Sequence, residues 1–246
     1  MAEITLHVLP PSHPCAAVDA ALALKGLEYE RVELPMDGSH IAVMGEIYGE
    51  DRTRAPGAVI DGEPVHGSNA IMERLDEIAP DRHPLFPGPD PDAVREAARW
   101  GDEVLQPLGR SLPWGALAFR PDALGLVGGG DLLDPAGTDF AMRFVRALWK
   151  RHEISCVRIA GELAELPAHL NHVRHLAAEG VIGDPDHPNA ADLQIGSTLA
   201  VLGMVGDVAD QLEDQLLTRL ASLVAPRSGQ IPAGAFPPGL LPGTAG

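Results

Sequence analysis

The chain is short of cysteine, of cations and of long apolar runs. It has two cysteines, Cys15 and Cys156, in 246 residues. Two thiols cannot form the dense disulfide framework of a small secreted domain, and they read as reduced thiols of a cytoplasmic protein. Eighteen Lys and Arg face 35 Asp and Glu, for a formal net charge of −17. That balance, with no basic run to offset it, argues against nucleic acid and against an anionic membrane surface as partners. No apolar stretch approaches the ~20 residues of a membrane helix. Met1-Ala2-Glu3 lacks the positive n-region of a signal peptide. No internal repeat is evident.

What is present suits a folded chain with a substantial core. Apolar residues make up 45% and charged residues 22% of the sequence. The most informative stretch is Ser12-His13-Pro14-Cys15. It lies where an apolar strand, Ile4 to Leu9, gives way to a helical run, Cys15 to Lys25. A hydroxyl and a thiol three residues apart would meet the positive end of a helix dipole, a setting that favours thiolates. Pro14 fits a first helical turn, and Lys25-Gly26 is a stop signal. Tyr29–Leu34 alternates apolar and charged residues and reads as a second strand. A strand, helix and strand so connected imply parallel pairing through a right-handed crossover.

Residues 37–52 read as a loop with a short helix. Ala58–Ile60 and Pro64–His66 flank Asp61-Gly62 and form a hairpin. Ser68 is placed as an N-cap, followed by the stripe Ile71, Leu75 and Ile78. The order to residue 80 is thus βαβ-ββα on a mixed four-stranded sheet. Prolines 84, 87, 89 and 91 mark a linker over 81–91. Beyond it strand signals nearly vanish. Helices are expected over Asp92–Leu112 (interrupted at Pro107), Thr138–His152, Arg158–Ala178 (kinked or broken at Pro167), Asn189–Val205 and Asp210–Leu223. The Pro- and Gly-rich residues 226–246 read as a loosely structured tail. The expected fold is an α/β domain over 1–80 and an all-α bundle over 92–225.

Four local patterns resemble the glutathione S-transferase family. Ser12-His13-Pro14-Cys15-Ala16-Ala17-Val18 is similar to the Ser-x-Pro-Cys-x-x-Val start of theta-like members. Ala55-Pro56-Gly57-Ala58-Val59-Ile60-Asp61-Gly62 is similar to the family's Val-Pro-x-Leu-x-Asp-Gly segment, whose proline is cis. Gly67-Ser68-Asn69-Ala70-Ile71 resembles its Glu-Ser-x-Ala-Ile. Asn189-Ala190-Ala191-Asp192-Leu193 resembles its capping box. The first three fall in the family's order and spacing. Residues 113–155 and 226–246 have no family counterpart of their own.

The resemblance implies a thioredoxin-like α/β first domain followed by an all-α helical bundle, in a homodimeric enzyme that joins a low-molecular-weight thiol to an apolar electrophile, without a metal. It assigns thiolate stabilisation to Ser12. It assigns the thiol's contacts to Ser12, His40, Ala55, Pro56, Gly67, Ser68 and Asn69, with Ala55-Pro56 on the cysteinyl part and Ser68 on a carboxylate. The family usually has Glu or Gln where Gly67 stands. The co-substrate is therefore glutathione or another small thiol such as mycothiol. The electrophile is expected against the second domain, near Leu105–Trp114.

Two other readings stay open at this point. Cys15 could serve a thiol-dependent reductase, although Ser12 occupies the place of the attacking thiol in a Cys-x-x-Cys pair. A non-catalytic binding protein could keep the fold and lose the thiol site. His169, His172 and His175 share one helical face, but one helix rarely supplies three ligands to a metal, so a solvated face is expected. Gly128-Gly129-Gly130 has neither the preceding strand nor the Gly-Lys-Ser/Thr of a phosphate loop.

Overall fold

The computed structural model describes residues 2–225 and 229–243. Four strands, β1 (Ile4–Val8), β2 (Glu30–Glu33), β3 (Gly57–Ile60) and β4 (Glu63–His66), form one sheet in the order β2-β1-β3-β4. β1 and β2 are parallel, with Thr5 opposite Glu30. β3 runs antiparallel to both β1 and β4. Asp61 and Gly62 both take positive φ, the geometry a two-residue hairpin with the sheet's own twist requires.

Helix α1 (His13–Lys25) links β1 to β2, α2 (His40–Tyr48) follows β2, and α3 (Ser68–Ile78) follows β4. The inward faces of β1, β3, α1 and α3 make one core around Leu6, Val8, Leu22, Ile60, Ile71 and Leu75. Helix α1 begins two residues earlier than expected, with Ser12 as its N-cap. α3 is capped by Gly67, not Ser68. The chain turns off β4 at Gly67 with φ 95°, so Ser68 already lies in the first turn.

The second half is helical: α4 (Pro91–Trp100), α5 (Leu108–Phe119), the single turn α6 (Leu124–Val127), α7 (Pro135–Arg151), α8 (Cys156–Ala178), α9 (Ala190–Leu202), the single turn α10 (Gly206–Ala209) and α11 (Gln215–Ala221). A π-helical turn, Gly101–Leu105, joins α4 to α5. α8 runs unbroken through Pro167. Its buried stripe of Leu163, Leu166, Leu170 and Val173 outweighs the one hydrogen bond a proline forfeits.

α9 is buried on all sides except at Ala200. Ala190 and Leu193 belong to the sheet's core, while Ile195 and Leu199 belong to the helical core. Its backbone lies so close to α11 that a Cβ on Gly196 would stand 2.2 Å from the Leu220 carbonyl oxygen.

The N-terminus of α9 is a complete capping box. The Asn189 side chain accepts from the N–H of Ala191 and of Asp192 at 2.9 and 3.1 Å, and Asp192 accepts from the N–H of Asn189 at 2.8 Å. Asp192 also accepts from the N–H of Gly183 at 2.6 Å. Burial pushes its carboxyl up to about 6 against the pull of these N–H donors and of Arg219. The folded chain therefore keeps this proton over a range where the unfolded chain has released it. That contribution to stability is full below about pH 4 and is lost as pH rises through about 6. In urea unfolding, wild type should lose stability relative to Asp192→Asn between pH 4 and pH 7, and a constant gap would contradict the assignment.

The tail is not loose over its described part. Ile231 pairs with the backbone of Met204 and Gly206 at 2.7 and 2.8 Å. The Asp207 carboxylate accepts from the N–H groups of Gly234, Ala235 and Phe236 at 2.6, 2.9 and 3.0 Å. Phe236 is thereby buried against Phe119. Aliphatic and aromatic anchors spaced through a proline-rich segment carry no periodicity, so composition alone misreads them. Residues 226–228 and 244–246 of the expected tail lie outside the described residues.

Candidate active site

A cleft of about 660 Å³ opens where the two domains meet. One wall is the turn from β1 into α1, Leu9 to Pro14, with Asp37, Gly38, His40, Arg54 and Ala55 beside it. The other wall comes from α5, α7 and the segment after α9, with Trp114, Leu117, Phe144, Leu148 and Met204.

Ser12 holds extended backbone at the N-terminus of α1, and its side chain makes no capping bond. The hydroxyl is half-exposed and lines the cleft. It lies within hydrogen-bonding reach of the Cys15 thiol one turn in. Cys15 is 2% exposed. Burial raises this thiol to about 11, against the lowering effect of Ser12 and of the Leu9 backbone. At neutral pH it is protonated and shielded, which is the opposite of a redox-active cysteine. Iodoacetamide should therefore label the folded chain at the exposed Cys156 and spare Cys15. Equal labelling of both, read by mass spectrometry, would contradict this.

His40 opens α2, and its Nδ1 pairs with the Pro35 carbonyl at 3.1 Å. Burial lowers its pKa, so the ring is neutral at neutral pH. The Ala55–Pro56 bond is cis. No hydrogen bond reaches the N–H or C=O of Ala55 among the described residues, so both groups remain available to an extended peptide. Pro56 is buried beneath, and its carbonyl accepts from the N–H of Gly67 at 3.0 Å.

The structure thus brings Ser12, His40 and Ala55 together on the cleft, with Pro56 behind them. It does not bring Gly67, Ser68 and Asn69 into the lining. Ser68 is 3% exposed in the first turn of α3. The Asn69 amide is turned away toward α4, where its Nδ2 donates to the Ala98 carbonyl at 3.4 Å. Space for a side chain at Gly67 is open, but its φ of 95° is one that L residues rarely adopt. The backbone itself therefore disfavours Glu or Gln at this position.

Of the three tryptophans, Trp114 lines the cleft. Trp149 supports it from behind by donating its indole N–H to the Trp114 carbonyl at 2.8 Å. Trp100 lies elsewhere and packs against His172 and His169, with ring centroids 4.4 and 6.1 Å away. Those two histidines are therefore half-buried, not solvated.

Sequence reasoning missed Arg54, Arg110, Arg151 and His152, all of which line the cleft. They come from four places along the chain with no common spacing. The one available signal was that Arg54 directly precedes the Ala55-Pro56 motif.

Residues 6–83 match the model of the family described as glutathione S-transferase, N-terminal domain. No curated protein matches the chain. Among solved structures, the chain is similar in fold to the β-etherase LigF of Sphingobium sp. strain SYK-6, at 17% identity and a TM-score of 0.56, over 89% of this chain and 92% of that one. A glutathione S-transferase from Rhodospirillum rubrum F11 is 20% identical with a TM-score of 0.53, over 89% and 85%. A glutathione transferase homologue from Sulfitobacter, solved with bound glutathione, is 13% identical with a TM-score of 0.52, over 91% of each chain. The thioredoxin-like first domain and helical second domain are thus those of the glutathione S-transferase fold.

Proposed function

From a chain whose residues 6–83 match the glutathione S-transferase N-terminal domain, we propose a transferase that joins a small thiol to an apolar electrophile. One observation carries the reading. The Ser12 hydroxyl, at the N-terminus of α1, faces across a single cleft toward an apolar wall built by the second domain.

The chemistry follows from that geometry. A free thiol has a pKa of about 8.5 and is mostly protonated at neutral pH. A hydroxyl that donates to the sulfur, together with the positive end of α1, favours the thiolate. The free backbone of Ala55 holds the cysteinyl part of the thiol as an added strand. His40 stands on the same rim. The thiolate sulfur then bonds to the electrophilic carbon, the leaving group departs with its electron pair, and the thiol proton passes to solvent. Trp114, Phe144 and Leu148 hold the apolar body of the electrophile.

The buried, protonated Cys15 favours this reading over thiol-dependent reduction. Glutathione, seen bound in the Sulfitobacter homologue, is the first co-substrate to test. Mycothiol is the second. A cytoplasmic homodimer belongs to the same reading. Isothermal calorimetry with glutathione and with mycothiol tests it. Saturable binding of either one supports a transferase and names its thiol. Binding of neither, with no conjugation of a chlorodinitrobenzene, supports the non-catalytic binding protein in its place.

A further inference from the structure

The cleft carries a charge opposite to that of the chain. The protein as a whole has a formal net charge of −17. Yet Arg54, Arg110 and Arg151 all line this one cleft. Arg54 comes from the loop before β3, Arg110 from the first turn of α5 and Arg151 from the last residue of α7. None of the three guanidinium groups makes an ion pair or hydrogen bond among the described residues. Asp37 is the one carboxylate in the lining, and it is engaged by the N–H and hydroxyl of Ser39 at 2.9 and 2.6 Å. Asp102 acts on Arg110 from the turn between α4 and α5. A fourth arginine, Arg158, stands close by but is paired with Glu162 at 2.7 Å.

These charges are near enough to act on one another. Burial lowers Arg110 to about 10, and the charges of Arg54 and Arg158 add to the effect. Burial, followed by Arg110, Arg151, Arg54 and Arg158, holds His152 at about 4. Arg110 is half-buried while Arg54 and Arg151 are exposed at the cleft's mouth, and three like charges opposed mainly by Asp102 make a positive field that attracts an anion.

We propose that the cleft takes a co-substrate combining an apolar body with an anionic group, a carboxylate or a sulfonate. The body lies on Trp114, Phe144 and Leu148. The anion sits between Arg110 and Arg151, with Arg54 facing them from the first domain. As a statement about the electrophile, this rests on the transferase reading. As a statement about binding, it can be tested without it.

The binding arm compares two probes with the same aromatic body, 8-anilino-1-naphthalenesulfonate and the neutral N-phenyl-1-naphthylamine, by fluorescence titration of the full chain. Wild type should favour the sulfonate by about tenfold or more, and salt should weaken that probe alone. Arg110→Gln with Arg151→Gln should remove the preference and leave the neutral probe unchanged. Arg110→Lys should keep most of it, and circular dichroism confirms that each variant is folded. Equal binding of the two probes by wild type, or a preference that survives the double substitution, overturns the proposal.

The catalytic arm compares 4-chloro-3,5-dinitrobenzoate with 1-chloro-2,4-dinitrobenzene, using glutathione and mycothiol in turn. In both, sulfur bonds to the ring carbon, chloride leaves with the electron pair and the thiol proton goes to solvent. The ratio of kcat/KM, anionic over neutral, should fall about tenfold in the double variant. A charge-selective cleft with no conjugation would refute the transferase reading and uphold the anion site. Conjugation with no charge selectivity would do the reverse.

Discussion

Replacing Lys25 with methionine is expected to lower the free energy of unfolding by about 3 kcal/mol, the low end of the scale for breaking a buried ion pair from one side, since Asp76 is 24% exposed. The Lys25 side chain is 0% exposed and its Nζ lies 2.7 Å from Asp76. The same ammonium donates to the carbonyls of Ala79 and His83 at 3.1 and 3.0 Å. Asp76 accepts in turn from the N–H groups of Leu85 and Phe86 at 2.9 and 3.1 Å. One cation therefore fastens the end of α1 to the end of α3 and to the proline-rich link between the domains. Methionine has similar volume and fits the apolar stem's path. It would leave two buried carbonyls without their donor and the Asp76 charge uncompensated. Urea unfolding with an unchanged m-value measures the loss. A change under about 1 kcal/mol would mean that water or another donor replaces the ammonium.

The second large effect falls on activity. Ser12→Ala is expected to lower kcat/KM for conjugation by roughly 10- to 100-fold, with little change in stability. A hydrogen bond to a charged sulfur contributes about 1.5–3 kcal/mol, and each ~1.4 kcal/mol is tenfold in rate. The Ser12 side chain caps nothing in α1, so its removal should leave the helix intact. Restored activity at high pH, where the free thiol ionises unaided, would mark the loss as one of thiolate stabilisation. A loss that persists at every pH would point to a positioning defect. Activity within twofold of wild type would remove Ser12 from the mechanism.

The first domain was legible because its signals are local. The change of period from β1 to α1 and the Asp61-Gly62 turn each name their own geometry within a few residues, as the Asn189–Asp192 box does in the second domain. The cleft was legible only in part. Ser12 and Ala55 sit at turns whose geometry depends on adjacent backbone, and both line the cleft. Ser68 and Asn69 lie outside the cleft's lining because the orientation of α3 is set by its packing on α1, α9 and the sheet, which its own sequence does not state. The far wall was the least readable. Trp114, Phe144, Leu148 and Arg151 lie in a segment without a family pattern, and α5 passes through Pro113 where local preference favours a break. Only the meeting of α5, α7 and the tail around Ile231 makes these residues neighbours. The arginines follow the same logic, since charges from separate elements acquire meaning only when the fold brings them to one cavity.

The central claim is that Ser12 stabilises a bound thiolate. Ultraviolet titration of the thiolate band of glutathione, or of mycothiol if that is the thiol bound, tests it most directly when run on wild type and on Ser12→Ala. Wild type should hold the bound thiol's pKa about one to two units below its free value of about 8.5, and Ser12→Ala should return it most of the way. A bound thiol that titrates at its free value in wild type, or at the same depressed value in both proteins, would contradict the account.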